Sequence, residues 1–357
     1  MNKNKISVRF SSLLLSWYKK EKRKLPFRES KSPYKIWLSE IILQQTQMKT
    51  GVEYFKVFLK NFPRVEDLAF ASEKKIYSLW QGLGYYNRAK NLHKTAKIIV
   101  NQNDGVFPKT HKELIKLPGV GKYTAAAISS ICYNERRLVV DANVYRVLSR
   151  YFGIKKDIML SKSFSYFLKI SEQLTCQEIN IGDYNEAIMD FGGLVCLPKK
   201  PKCNVCVLNK KCIANLTKTQ TFFPVKNKVK QKKERYFNYF VLENKTFYLM
   251  RKRSNKDIWL NLNEFYLLEE KNKKLAIKSF IKKLNKIKIQ EKNITEKKAK
   301  GVLSHQNINV WFFKIFIPEK KALTSIKKRL KLKLVNKKDI NNYAVPKVID
   351  NYLKCHG

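Results

Sequence analysis

The sequence predicts a mainly α-helical domain followed by a small α+β domain. In the first part, a short amphipathic segment, Lys112–Leu117, and an Ala-rich segment, Tyr123–Ile128, flank a glycine turn. Both segments favour helices. Residues 217–234 are polar and Lys-rich with one proline, Pro224, which is typical of an interdomain linker. Beyond them, apolar and aromatic-rich segments favour strands.

A chain of 357 residues is long enough for two domains with proper cores. We expect a helical domain over residues 1–215, a linker over 216–235 and an α+β domain over 236–357. In the last domain, the predicted elements are strands at Tyr236–Leu242, Thr246–Arg251 and Val310–Ile317 and a helix at 273–286.

The charge of the chain indicates a polyanionic partner. Its net charge is +46, and 44% of its residues are hydrophobic, so it is a folded protein with the charge expected of a nucleic-acid binder. Lysine, asparagine and isoleucine are abundant throughout, including positions where no DNA contact is expected. The charge therefore supports nucleic acid as the partner but does not establish it.

The sequence gives no sign of a membrane segment. No apolar run approaches the ~20 residues of a span, and the Leu13–Leu15 patch is too short for a signal peptide. The seven cysteines are mostly clustered late in the chain, which fits a reducing compartment rather than a disulfide framework. We expect a monomer in the cytoplasm, associated with the nucleoid.

The glycine turn is a candidate phosphate site. Gly119 and Gly121 allow positive φ and close approach of a partner, and the helix that follows presents N–H groups and a positive dipole end. A bare PGVG turn is equally compatible with an ordinary helix corner. Downstream, Asp141 lies between apolar Val140 and Ala142, where an aspartate is either a helix N-cap or a functional carboxylate.

Taken together, LPGVG-x2-T-A from Leu117 and V-D-x-N-V-x-R from Val140 resemble the helix–hairpin–helix DNA glycosylases. In that family the hairpin grips a DNA phosphate and the aspartate works on the sugar. The resemblance implies a six-helix module with an iron–sulfur module, and it implies DNA as the substrate.

A second motif carries a candidate acid. Ser32-Pro33 starts a helix that we expect to run to Gln47, with Glu40 among apolar residues on one face. A carboxyl in such surroundings is either solvated at the edge of the face or buried and protonated near neutral pH. The segment WLSEIILQQTQ resembles that of the adenine DNA glycosylases of the MutY type, in which this Glu is the acid. Arg28 and Gln44 are assigned to substrate or DNA binding.

The segment GLGYYNRAKNLH, residues 82–93, again resembles the MutY type. By that resemblance, Gln45 and Tyr85 fill or wedge the DNA stack beside an extruded base. The alternative is that Tyr85 packs a core corner. In YNEAIMD, Glu186 resembles the residue that helps to recognise adenine, and the alternative is a helix-surface carboxylate.

One position in the hairpin helix separates two subfamilies. Relatives of the endonuclease III type carry a nucleophilic lysine where this chain has Tyr123, and Lys122 is one residue too early to face the sugar. Without that amine, a coupled strand cleavage is not expected. By resemblance, Tyr123 and Asn143 position the two carboxylates.

Four cysteines form the strongest single pattern. Cys196, Cys203, Cys206 and Cys212 follow one another at separations of six, two and five intervening residues. Four thiolates suit either zinc or an iron–sulfur cluster. The spacing matches the 4Fe–4S loop of this glycosylase family, so the resemblance implies a 4Fe–4S cluster with a structural task.

The C-terminal part resembles the Nudix-like domain of MutY-type proteins, which recognises 8-oxoguanine through a Phe-Ser-His loop. Here the loop is Leu303-Ser304-His305, and leucine can wedge into a base step but cannot stack. No Glu-rich Nudix box is present, so no diphosphatase activity is expected.

The resemblance implies removal of adenine mispaired with 8-oxoguanine or guanine in double-stranded DNA. Glu40 would protonate the base and Asp141 would stabilise the sugar cation, the two-carboxylate logic of glycoside hydrolysis. Two alternatives remain: an oxidised-pyrimidine glycosylase with lyase activity, and a non-catalytic iron–sulfur DNA-binding protein.

Overall fold

The computed structural model describes residues 3–227, 232–254, 257–284, 294–303 and 306–356. The chain divides into two compact units, of which the first holds residues up to Phe70 and from Lys90 to Val229. The second holds Ala71–Ala89 and the chain from Lys230 onward. Residues 71–89 therefore belong with the C-terminal unit, which sequence periodicity did not indicate.

The first unit is helical, as predicted. Its helices are α1 Lys3–Glu21, α2 Pro33–Leu43, α3 Met48–Asn61, α4 Val65–Phe70, α6 Asn87–Asn103, α7 His111–Leu114, α8 Lys122–Tyr133, α9 Ala142–Phe152, α10 Ser161–Gln173, α11 Ile181–Leu194 and α12 Ile213–Leu216. Helix α6 starts in the second unit and continues into the first. Short 3-10 turns cover Cys203–Val205, Asn209–Lys211 and Gln220–Phe222.

Local sequence explains where the key helices begin. The Thr110 and Glu113 side chains form a reciprocal capping box at the start of α7, which satisfies backbone donors that the first turn leaves unpaired. Helix α8 starts after Gly121 and ends at Tyr133, and its C-cap Asn134 takes a left-handed conformation with φ 54°. Buried apolar faces of α2, α8, α9 and α11 pack together in the core of this unit.

The second unit is built on a mixed sheet. Its elements are α5 Glu73–Trp80, β1 Lys233–Glu243, β2 Phe247–Lys252, β3 Asn263–Glu264, β4 Tyr266–Glu269, α13 Lys273–Leu284, β5 Ile294–Val302, β6 Gln306–Phe316, α14 Lys320–Arg329, β7 Lys333–Asn336 and α15 Lys347–His356. The predicted strands of this domain are confirmed, and so is the predicted helix over residues 273–284, whereas its last two residues, 285 and 286, lie outside the described residues. Strand order is β3-β2-β1-β6-β5, with β4 also on β1 and β7 also on β2.

Two apolar layers cover the sheet. The residues of α15, including Ile349 and Tyr352, pack on one face, and residues of α13 and α14, including Phe280 and Leu323, pack on the other. Strands β1 and β6 run parallel at its centre, from Lys233 opposite Gln306 onward. Among the described residues, no helix combines the length and apolarity that crossing a membrane would need.

Candidate active site

Asp141 is the N-cap of α9. Its Oδ1 accepts backbone hydrogen bonds from Asn143 and Val144, both at 2.8 Å, and its Oδ2 accepts the side-chain amide of Asn143 at 2.7 Å. Burial raises the pKa of Asp141, and these hydrogen bonds act in the opposite direction. The capping role that the sequence allowed is therefore real, and it fixes both oxygens of a nearly buried carboxylate.

Glu40 lies on α2 in a different environment. Its pKa is raised to about 7, mainly by burial and in part by the negative charge of Asp141, whereas Arg28 and a hydrogen bond from Tyr123 act in the opposite direction. The two carboxyl groups thus lie close enough to interact electrostatically. The Tyr123 hydroxyl also lies 3.1 Å from Sδ of Met189. A carboxyl with this pKa is protonated in a substantial fraction of molecules at neutral pH.

A buried ion-pair network surrounds Glu186. Nε of Arg28 lies 2.8 Å from the Glu186 carboxylate, and Nη1 of Arg28 lies 2.7 Å from Asp190. The Tyr18 hydroxyl donates to Oε2 of Glu186 at 2.8 Å, and Arg23 also pairs with Asp190. Glu186 is therefore buried and paired, so the alternative of a helix-surface carboxylate is wrong. Sequence reasoning named Arg28 and Glu186 but missed Tyr18, Arg23 and Asp190.

The hairpin turn has room for a partner on one side only. Gly119 has φ 79°, and a Cβ there would lie 2.8 Å from the Cβ of Asn91, whereas a Cβ on Gly121 would meet nothing within 4 Å. The Thr95 hydroxyl donates to the Pro118 carbonyl at 2.8 Å and holds the turn on α6. Gly121 thus presents the start of α8 to open space.

The helix that carries Glu40 is shorter than expected. Helix α2 ends at Leu43 rather than Gln47, because the chain turns at Gln45, where φ is 55°. This turn leaves Gln45 exposed and lets Nε2 of Gln44 donate to the Thr124 hydroxyl at 3.4 Å. Gln44 thereby contacts α8, the helix that follows the hairpin turn.

The chain is similar to known DNA repair proteins. The model of the HhH-GPD superfamily of base excision DNA repair proteins matches residues 38–172. An adenine DNA glycosylase of Buchnera aphidicola (subspecies Schizaphis graminum) is 39% identical over 321 residues, which cover 88% of this chain and 91% of that protein. The chain belongs to the adenine DNA glycosylase family. It is thus a DNA N-glycosylase of base excision repair, as the motifs predicted.

Other similar proteins support this family and its fold. The adenine DNA glycosylase of Homo sapiens is 39% identical over 214 residues, covering 57% of this chain and 39% of that protein. A thermostable thymine-DNA glycosylase has a TM-score of 0.53 at 30% identity, covering 60% of this chain and 97% of that one. A DNA-bound endonuclease III, at 20% identity and a TM-score of 0.52 over 61% of this chain and 99% of that one, shows the same fold. The expected helix–hairpin–helix fold is confirmed.

In this glycosylase, the four loop cysteines line one small cavity of about 30 Å³ together with Arg150. The Arg150 guanidinium donates to the Leu197 and Pro198 carbonyls, each at 2.7 Å, and to Sγ of Cys196 at 3.4 Å. Nε of Arg146 donates to the Cys196 carbonyl at 2.7 Å. Within the described ranges, no group of three or more His, Cys, Asp or Glu residues has the arrangement needed to hold a single metal ion.

Residues of the predicted linker are fixed to the helical unit. Nε of Arg150 donates to the Gln220 carbonyl at 2.9 Å, and the Ile158 amide donates to the Val225 carbonyl at 3.1 Å. The segment up to Val225 is thus held on the helical unit of the glycosylase. The boundaries at 215 and 236 stay a prediction.

The turn with Tyr85 and the loop with Leu303 both lie in the second unit. They line a cavity of about 590 Å³ whose walls also include Trp259 and Pro346. Tyr85 is 44% exposed, and the Leu303 amide donates to the Gln306 carbonyl at 2.9 Å. The structure therefore brings these two predicted contacts of the glycosylase into one cavity. Ser304 and His305 lie outside the described residues.

Proposed function

We propose that this glycosylase removes adenine paired with 8-oxoguanine or guanine from double-stranded DNA, and that it leaves the strand uncut. The observation that carries the proposal is the pair of interacting carboxyls, Glu40 and Asp141, in unlike environments. One has a pKa of about 7, and the other accepts three hydrogen bonds from Asn143 and Val144. Such a pair supplies an acid and an anion at the same pH.

The chemistry follows from those two states. Once adenine has left the stack, Glu40 donates its proton to the base and makes it a better leaving group. The C1′–N9 bond then breaks, and its electron pair leaves with adenine. The Asp141 carboxylate stabilises the positive charge on the sugar or captures C1′. Water adds to C1′, and Glu40 takes up the proton that this water releases.

Neighbouring side chains would hold the reacting groups. Tyr123 orients the Glu40 carboxyl and Asn143 orients the Asp141 carboxylate. The carboxylate of Glu186, held by Arg28, would accept a hydrogen bond from the extruded adenine. Because Tyr123 offers no amine, no Schiff base with the sugar forms, and the enzyme acts as a simple glycosylase.

DNA would be held at three places. The hairpin at Gly119 and Gly121 would bind a backbone phosphate through the start of α8. Gln45 and Tyr85 would fill the stack left by adenine. The second unit, which we take to be a Nudix-like reader without diphosphatase activity, would face the opposite base with Leu303.

We also propose a 4Fe–4S cluster on Cys196, Cys203, Cys206 and Cys212. Four thiols that share one cavity, with a guanidinium donating to one sulfur, suit a cluster with four thiolate ligands. When bound, it supplies a rigid cross-link for a Lys-rich loop rather than a catalytic step. Iron and sulfide analysis of purified protein tests this assignment, and zinc without iron would contradict it.

The reaction is tested with matched duplexes that carry adenine opposite 8-oxoguanine, guanine or thymine. We expect an abasic product from the first, less from the second and none from the third, with none in Asp141→Asn. Asparagine also caps helices well, so this variant keeps its fold. The absence of excision by cluster-replete protein would leave only a DNA binder. Trapping by sodium borohydride would instead indicate a lyase.

We propose that the enzyme acts as a monomer in the cytoplasm, associated with the nucleoid. Light scattering of the free protein and of its complex with one duplex tests the monomer. A dimer in either sample would contradict it.

A further inference from the structure

The turn that carries Tyr85 is conformationally demanding. Gly82, Gly84 and Tyr85 all have positive φ, at 99°, 70° and 49°. Glycine adopts such values freely, but a bulky residue does so only where its surroundings impose it. Something must therefore hold Tyr85 in this conformation before DNA arrives.

Two of the restraints are local. Nε1 of Trp80 donates to the Gly84 carbonyl at 2.9 Å, and Nη2 of Arg88 donates to the Leu83 carbonyl at 3.0 Å. The Arg88 guanidinium also lies 5.7 Å from the centre of the Tyr85 ring. These contacts come from residues within five positions of the turn.

A third restraint comes from the last helix of the chain. Nε2 of Gln81, the residue before Gly82, donates to Oδ1 of Asp350 on α15 at 3.2 Å. The other oxygen of Asp350 accepts from Lys347 at 2.9 Å and from Lys354 at 3.1 Å. Asp350 is only 6% exposed, and a buried carboxylate with three donors is fixed in place.

Helix α15 is itself anchored in the core of the second unit. Ile349 is fully buried, and the Tyr352 ring stacks on Phe312 of β6 with centroids 4.2 Å apart. Asp350 therefore connects the rigid sheet to the residue at which the turn begins. The turn and the helix also line the same cavity.

We propose that Asp350 is a positioning residue for Tyr85. Helix α15 then sets the conformation of the Tyr85 turn as well as covering the sheet. This inference rests on the proposed function for its catalytic consequence. The turn is prepared by a contact across 269 residues, and loss of that contact lets Tyr85 sample other conformations. The Tyr85 side chain then enters the duplex less often in the productive geometry.

The test compares Asp350→Ala in two backgrounds by single-turnover excision from the duplex with adenine opposite 8-oxoguanine. With Tyr85 present, we expect the rate constant to fall about tenfold, and with Tyr85→Ala we expect less than about a twofold further change. Gln81→Ala should have a similar effect, and the Gln81→Ala/Asp350→Ala double variant should be no slower than the slower single variant. The control is Asp339→Ala, an exposed aspartate of the same unit.

A second measurement does not depend on activity. Hydrogen exchange of residues 82–86 in the free protein should become faster in Asp350→Ala, whereas exchange in α13 should not change. An equal loss of rate in both backgrounds, or unchanged exchange at 82–86, would overturn the proposal. If wild-type protein excises no adenine, the proposed function fails, and the exchange experiment still decides whether Asp350 holds the turn.

Discussion

The side-chain amide of Asn143 donates to Oδ2 of Asp141 at 2.7 Å, while Nη2 of Arg146 donates to Oδ1 of Asn143 at 2.8 Å. Arg146 therefore fixes the orientation of the Asn143 side chain, so that its NH₂ group, and not its oxygen, faces the Asp141 carboxylate. Burial raises the pKa of both Asp141 and Glu40, but at Asp141 this donor and two backbone donors act in the opposite direction, because they favour the ionised form.

Asn143→Ala removes one of those donors, so the pKa of Asp141 should rise. Since the proposed mechanism needs the Asp141 carboxylate, the acidic limb of the rate profile should move to higher pH, and the maximal rate should fall about tenfold or more. Single-turnover excision as a function of pH measures both effects. Asn101→Ala, on an exposed position of α6, is the control. An unmoved acidic limb would show that Asn143 does not act through Asp141.

Glu40→Gln tests the proposed acid through stability as well as activity. The pKa of Glu40 is raised from 4.5 to about 7, so between these values the folded protein keeps a proton that the unfolded chain releases. The free energy of unfolding of the wild type therefore falls as pH rises through this window. Glutamine does not titrate, so its free energy of unfolding lacks this dependence on pH. Relative to wild type, the free energy of unfolding of the variant should therefore rise by on the order of 2 kcal/mol between about pH 5 and pH 8.

Urea unfolding at the two pH values checks the stability of Glu40→Gln. Its excision rate should be at least about 100-fold lower than that of wild type, with DNA binding retained. A stability difference independent of pH would mean that Glu40 titrates normally, and the acid would then have to be another group.

Tyr123→Phe should raise the pKa of Glu40 further. The hydrogen bond from Tyr123 lowers the pKa of Glu40, so its loss should raise that pKa further. The basic limb of the excision profile should therefore move to higher pH, although the maximal rate falls. Rates from about pH 5 to about pH 9 would reveal the shift. A move to lower pH would contradict the hydrogen bond between the two side chains.

The sequence predicted the parts of the site that lie within one helix or turn. Asp141 precedes an amphipathic segment, and its role as N-cap of α9 follows from residue type and position. The network of Arg28 with Glu186 and Asp190 was not predictable, because its partners are more than 150 residues apart and only tertiary packing brings them together. The early end of α2 was missed for a related reason, since Gln45 has a positive φ that no residue preference demands.

Arg150 should be essential for the cysteine loop. Its side chain is 2% exposed and donates to carbonyls on both sides of the loop. Arg150→Ala leaves these acceptors buried and unpaired, so the free energy of unfolding should fall by about 2–4 kcal/mol and iron should be lost. Arg150→Lys keeps the charge but lacks the fork of donors, and it should recover only part of the iron.

The iron content and the urea unfolding of the Arg150 variants are compared with those of Arg136→Ala. Arg136 is an exposed arginine of the same unit. Full iron content in Arg150→Ala would show that the thiolates alone organise the loop.

We expect the side chain of Leu303 to set how well the second unit distinguishes 8-oxoguanine from guanine. It lines the cavity that also contains Tyr85 and Trp259, and its carbonyl accepts from Lys232 at 2.8 Å, so the backbone of Leu303 is held without the side chain. Leu303→Phe should therefore keep these backbone contacts of residue 303 and add a ring on which a base can stack, an interaction of about 1–3 kcal/mol. The ratio of excision rates opposite 8-oxoguanine and guanine should rise about tenfold.

Leu303→Ala is the matched control for Leu303→Phe, because it removes the wedge without adding a ring and should lower the same ratio. Both ratios are measured under single turnover at one salt concentration, since DNA affinity depends strongly on salt. If phenylalanine leaves the ratio unchanged while alanine lowers it, an apolar wedge is sufficient here. If neither changes the ratio, the opposite base is recognised elsewhere, and Leu303 only fills the core beside α15.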